Sequence, residues 1–129
     1  MNPFAPQLLA LVAVGGAAGS VLRYATGVWC ARWFGATLPW GTLVVNVVGS
    51  GVIGLLGGLM LGGMPLSNEA RLLAITGFLG GFTTFSAFSL DVGTLMLRSP
   101  ALGIGYLALT LAGGLGSFAL CFALGRAAA

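Results

Sequence analysis

Charge interrupts this chain at only seven positions, Arg23, Arg32, Glu69, Arg71, Asp91, Arg98 and Arg126. The charge-free runs, Met1 to Leu22, Trp33 to Asn68, Leu72 to Leu90 and Ser99 to Gly125, are each about as long as the roughly 20 residues a helix needs to cross the hydrocarbon core. They predict one domain over residues 1–129 built from four transmembrane helices, at about 6–29, 40–63, 69–97 and 101–125. Pro65 stops the second helix, Ser67 or Asn68 caps the third, and Glu69 suits the positive end of its dipole. Trp29, Arg32, Trp33 and Trp40 cluster around Pro39 as an interfacial aromatic belt with a snorkelling arginine. The first run has no basic start and continues directly into Arg23 and Tyr24, so it reads as a retained helix rather than a secretory signal.

Polar and small residues inside these spans carry more information than the apolar ones. Gly15, Gly16 and Gly19 give the first helix a close-packing face, and Gly54, Gly58 and Gly62 give the second one at four-residue spacing. The third span is interrupted in its middle by Gly77-Phe78-Leu79-Gly80-Gly81-Phe82-Thr83-Thr84-Phe85-Ser86, which predicts a break at 80–84. Non-helical backbone is tolerated at membrane depth only where it is buried in protein or lines a polar cavity, so the break points to an ion or substrate site. Asn46 is the single amide side chain deep in a span; its residue type fits a structural interhelical hydrogen bond as well as a pore-lining role. Tyr106, Thr110 and Ser117, at offsets of 4 and 7, share one face of the fourth helix, where hydroxyls also bond back to their own backbone.

Composition then limits the chemistry. Charged residues make up 5% of the chain against roughly 25% in soluble domains, which places it among integral membrane proteins. With no histidine and only Glu69 and Asp91 as carboxylates, the usual acid–base, nucleophile and metal-ligand arrangements cannot be assembled, which excludes most enzymes. Cys30 and Cys121 lie too far apart in sequence to suggest a disulfide framework or a metal cluster. An even number of spans puts Arg71 and Arg126 on one side and Arg23, Arg32 and Arg98 on the other. So slight a bias hardly specifies an orientation, and a small chain that inserts both ways can form an antiparallel dimer with a two-fold axis in the membrane plane.

Three segments are similar to one known family along essentially the full chain. They are Gly15-Gly16-Ala17-Ala18-Gly19-Ser20 with Arg23-Tyr24, Trp40-Gly41-Thr42-Leu43-Val44-Val45-Asn46 continuing to Gly49, and Gly77 to Ser89. Together they resemble the Fluc (CrcB-type) fluoride channels. The resemblance implies a dual-topology antiparallel homodimer with two pores that pass fluoride, and a structural sodium ion at the dimer axis held by the backbone carbonyls of Gly80 and Thr83. It implies a fluoride pathway along Asn46, Phe85 and Phe88, with Thr42, Ser86, Tyr106 and Thr110 as further polar or edge donors and Arg23 at the aqueous vestibule. The implied partners are fluoride, a second copy of the chain and the lipid bilayer, with no nucleic acid; the implied location is a bacterial plasma (inner) membrane. Ala87, where the family often has Thr or Ser, and Gly114, on the helix 4 track, thin the polar lining. The rival is a proton-coupled multidrug-type exporter with the same number of spans; it needs a carboxylate on the first helix, which this chain lacks, while Asp91 reads as the polar end of the third.

Overall fold

Helix α1 opens at Pro6, whose missing N–H and fixed φ suit a first turn, and ends at Phe34, where Gly35 adopts φ 82° and donates its N–H back to the Ala31 carbonyl. The computed structural model describes residues 2–129, and every regular element in it is helical. Helix α2 spans Trp40–Leu61 and ends ahead of Gly63 at φ 107°. Helix α3 covers residues 68–82, beginning where the Ser67 hydroxyl accepts from the Ala70 N–H at 3.1 Å. Within α3 the hydrogen bonding is π-helical over Leu72–Leu79 and returns to α over Gly80–Phe82. Helix α4 is Phe85–Arg98 and α5 is Pro100–Ala128, with Ser99 between them as the cap of α5.

Among the described residues, four segments are long and apolar enough to span a membrane: Pro6–Phe34, Trp40–Leu61, Asn68–Arg98 and Pro100–Ala128. Two of them reach beyond the lengths expected from charge spacing. α1 continues through Arg32 to Phe34 and α5 through Arg126 to Ala128, because a lone arginine at a helix end complements the dipole instead of stopping the helix. Asp91, expected at the polar end of the third span, lies within α4, which runs on to Arg98.

The predicted break is present but narrower than 80–84. Gly80 and Gly81 stay helical, and the extended residues are Thr83 (φ −86°, ψ 158°) and Thr84 (φ −153°, ψ 121°) alone. Glycine permits a break without forcing one; threonine side chains supply the replacement bonds that make this one stable. The Thr83 N–H and hydroxyl both donate to the Leu79 carbonyl, at 3.0 and 2.8 Å, while the Thr84 hydroxyl accepts from the Ala87 N–H at 3.1 Å and caps α4.

Small residues set the packing. α2 lies along α5, where a Cβ on Gly54 would come within 2.5 Å of the Phe118 carbonyl and one on Gly125 within 2.5 Å of the Leu55 carbonyl. α1 lies along α3, where a Cβ on Gly77 would come within 2.9 Å of the Val12 carbonyl, and Gly15 and Gly19 likewise face α3 backbone. Two buried clusters flank the break: Val45, Leu79 and Phe82 on the α3 side, and Phe88, Leu95 and Tyr106 on the α4 side. Most other large apolar side chains point outward, as expected of a chain whose solvent is lipid or a second protein surface.

Candidate functional site

The break is held open by side chains from the neighbouring helices. Asn46, in the second turn of α2, accepts from the Thr84 N–H through Oδ1 at 2.8 Å and donates through Nδ2 to the Thr84 carbonyl at 2.9 Å. One amide thus saturates both peptide groups of an extended residue, in the manner of a strand pair. The structural reading of Asn46 is therefore satisfied in the fold, yet its Nδ2 retains a second N–H. Arg23 on α1 donates from Nε to the Gly81 carbonyl at 3.0 Å. It is partly buried against the end of α3.

These bonds change which carbonyls are free. In an uninterrupted helix the Thr84 N–H would reach Gly80 and the Ala87 N–H would reach Thr83. Asn46 and the Thr84 hydroxyl have taken those two donors, so the Gly80 and Thr83 carbonyls are released at the gap.

Beside the gap lies a cleft of about 390 Å³, bounded by α2, α3, α4 and α5. Of the residues expected at the site, it brings together Asn46, Gly80, Thr83, Phe85, Phe88 and Thr110. Phe85 and Phe88 meet edge to face, with ring centres 5.7 Å apart and planes at 89°. Their environments differ sharply, since Phe88 is 4% exposed while Phe85 is 78% exposed with its rim largely uncovered. Thr110 is buried at 7% exposure where it borders this cleft, and its hydroxyl oxygen has no hydrogen-bond partner among the described residues. Among the described residues, no charged side chain lines the cleft.

Four expected residues lie elsewhere. Thr42 lines a separate cavity with Gly27, Pro39 and Trp40 near the start of α2. Tyr106 packs on Phe88, with ring centres 6.1 Å apart, and its hydroxyl donates to the Pro39 carbonyl at 2.9 Å. Ser86 sits at the first turn of α4 with its hydroxyl 3.4 Å from that of Thr84. Arg23 is engaged at Gly81 as described.

Sequence reasoning passed over Ser50, and it placed Thr84 in the expected break without giving its side chain a role. Ser50 lies one turn after Asn46 on the same face of α2, lines the cleft and stands 3.6 Å from where a Gly114 Cβ would be. A hydroxyl missing from α5 at Gly114 is thus supplied from across the cleft. Four-residue spacing from Asn46 was a sufficient signal for it. Thr84 was recognisable as an N-cap, a hydroxyl residue just before Phe85-Ser86-Ala87.

Comparison with known proteins places the chain in a family. The family described as "CrcB-like protein, Camphor Resistance (CrcB)" matches residues 10–125. The chain belongs to the CrcB family. Within it, the chain is 60% identical over 95 residues to a protein of Rhizobium etli named "Fluoride-specific ion channel FluC", covering 74% of this chain and 76% of that one. A protein of the same name from Allorhizobium ampelinum is 47% identical over 116 residues, 89% of this chain and 93% of its own length. Another, from Agrobacterium fabrum, is 57% identical over 96 residues, covering 74% of this chain and 76% of that one. Membership of the CrcB family makes the chain a channel rather than an enzyme, and with its four apolar spans a multi-pass integral membrane protein of bacterial source.

Proposed function

We propose that two oppositely inserted copies of this chain form a fluoride channel in the bacterial inner membrane, with each cleft beside the Thr83–Thr84 break forming part of a passive anion passage. The observation that carries this reading is a gap in a membrane span that opens onto neutral hydrogen-bond donors and the uncovered ring of Phe85, with no charged side chain among the described residues that line it. The names of the relatives supply fluoride as the ion.

Moving a small ion into a low-dielectric medium costs on the order of 20 kcal/mol in the ideal Born limit, so the wall must replace water. The second Asn46 N–H, the Ser50 hydroxyl and the positive ring edges of Phe85 and Phe88 are donors of the required sign, along a cleft that Thr110 also borders. None carries a full charge, so the ion is held weakly enough at each to move on. Tyr106, Thr42 and Ser86 lie outside this cleft and belong, on this reading, to its approaches. Phe85 and the open side of the cleft call for a second wall, which an antiparallel copy provides.

The released carbonyls of Gly80 and Thr83 fit a structural sodium ion. They are neutral, hard oxygens, two per copy and four per pair, and no carboxylate lies beside them to favour a divalent ion. When bound, the ion supplies a fixed positive charge at the axis and joins the two copies. An exporter of the multidrug type is not favoured, because α1 contains no carboxylate.

The proposal is tested with pure protein in liposomes loaded with potassium fluoride. Fluoride should leave when valinomycin dissipates the potassium gradient, with no need for a pH gradient, and chloride should stay. Release that requires a pH gradient and accompanies an organic cation would instead place the chain among the exporters.

A further inference from the structure

The Arg23 hydrogen bond is not explained by a vestibule role. Arg23 lies eleven residues before the end of α1 at Phe34, about 16 Å along the helix at 1.5 Å per residue, and six residues to the apolar side of Trp29, the first residue of the aromatic belt. An arginine at that depth is costly unless it meets a polar group, and it meets the carbonyl of Gly81 at 3.0 Å. The position is built by the packing of α1 on α3. Gly15, Gly19 and Arg23 follow one another at four-residue spacing and so share a face. Gly15 and Gly19 bring the α1 backbone against Gly77, Phe78 and Phe82, and the next residue in that row delivers its guanidinium to the last turn of α3.

Gly81 is one of the carbonyls orphaned by the break, since its helical donor would have been the N–H of Phe85. It lies between Gly80 and Thr83, so without a donor it would be a third oxygen free to turn toward a cation. We propose that Arg23 is a positioning residue for the cation site: its Nε–H ties down the Gly81 carbonyl and so fixes the last turn of α3 with Gly80 and Thr83 as the presented pair. This rests on the sodium reading above and adds a residue to it. The bond, rather than the charge, is what positions. A nearby positive charge acting only through space would weaken cation binding, so removing it would tighten the site; removing a positioning bond loosens it.

The test compares wild type, Arg23→Gln and Arg23→Met in detergent, reading the melting midpoint against sodium concentration with N-methylglucamine as the replacement cation. Glutamine keeps an N–H donor without charge, and methionine keeps length without a donor. Arg23→Met should raise the sodium concentration for half-maximal stabilisation roughly tenfold, the lower range for a hydrogen bond to a charged group. Arg23→Gln should stay within about threefold of wild type on the same scale. Unchanged or tighter sodium response in Arg23→Met overturns the proposal, as does Arg23→Gln as impaired as Arg23→Met. If Arg23→Met does not fold, a tenfold loss in Arg23→Gln still refutes it. A wild type that sodium does not stabilise at all would remove the cation site itself, a different failure.

Discussion

A single amide holds the centre of the molecule. Asn46 saturates both the N–H and the carbonyl of Thr84, so Asn46→Ala leaves two peptide groups orphaned, each worth about 1–3 kcal/mol when buried. Fluoride efflux from liposomes should fall to near background in that variant, and its melting midpoint should drop as well. Phe85→Ile tests the aromatic edge separately, because Phe85 is exposed and supports little of the fold. Its efflux should fall while its melting midpoint stays close to wild type, and unchanged efflux would remove Phe85 from the pathway. At this scale the sequence was informative about type and uneven about place. Asn46, Phe85, Phe88 and Thr110 stood out as polar or aromatic residues in an apolar span, and the cleft gathers them. Tyr106 and Thr42 share that chemistry but lie beyond the cleft, since a helix face fixes direction and not depth relative to a neighbour. The bond from Arg23 to Gly81 could not be foreseen, because a backbone carbonyl partner leaves no mark in a sequence.

At the scale of elements, glycine spacing was the most legible signal. Gly54 and Gly58 face α5 backbone, and Gly15 and Gly19 face α3 backbone. A Cβ at Gly54 would overlap the Phe118 carbonyl, so Gly54→Ala should cost about 1–3 kcal/mol, as overpacking does, and lower the melting midpoint. Gly116→Ala meets nothing within 4 Å and should hold or raise stability, by up to roughly 1 kcal/mol from helix propensity. Equal effects of the two substitutions would mean that close packing is not what these glycines provide. The π-helical stretch Leu72–Leu79 was not legible, because its residues are as compatible with an α-helix and the choice is made by packing against α1. The break was legible to within a few residues. Its narrowing to Thr83 and Thr84 reflects side-chain bonds that propensity cannot anticipate.

For the whole molecule, moving Arg23 to the break alters the charge balance read from the sequence. Arg98 donates to the Thr37 carbonyl and so joins Arg32 at one face, while Arg71 and Arg126 remain for the other. Two arginines against two give no instruction for orientation, which supports the proposed dual topology. With Cys30 and Cys121 replaced, Ala128→Cys, which leaves all five arginines in place, should be labelled by an impermeant maleimide in about half of the molecules in intact cells, as expected for unbiased insertion. Labelling of all or none would require parallel copies. The central claim is that anions pass beside the break held by Asn46, and the variant that tests it most directly is Asn46→Asp. It keeps an acceptor for the Thr84 N–H but sets a carboxylate where donors are needed, a repulsion of about 4 kcal/mol at 4 Å for an effective dielectric of 20. Fluoride efflux per reconstituted molecule should fall by at least about two orders of magnitude relative to wild type, and efflux at the wild-type rate would contradict the account.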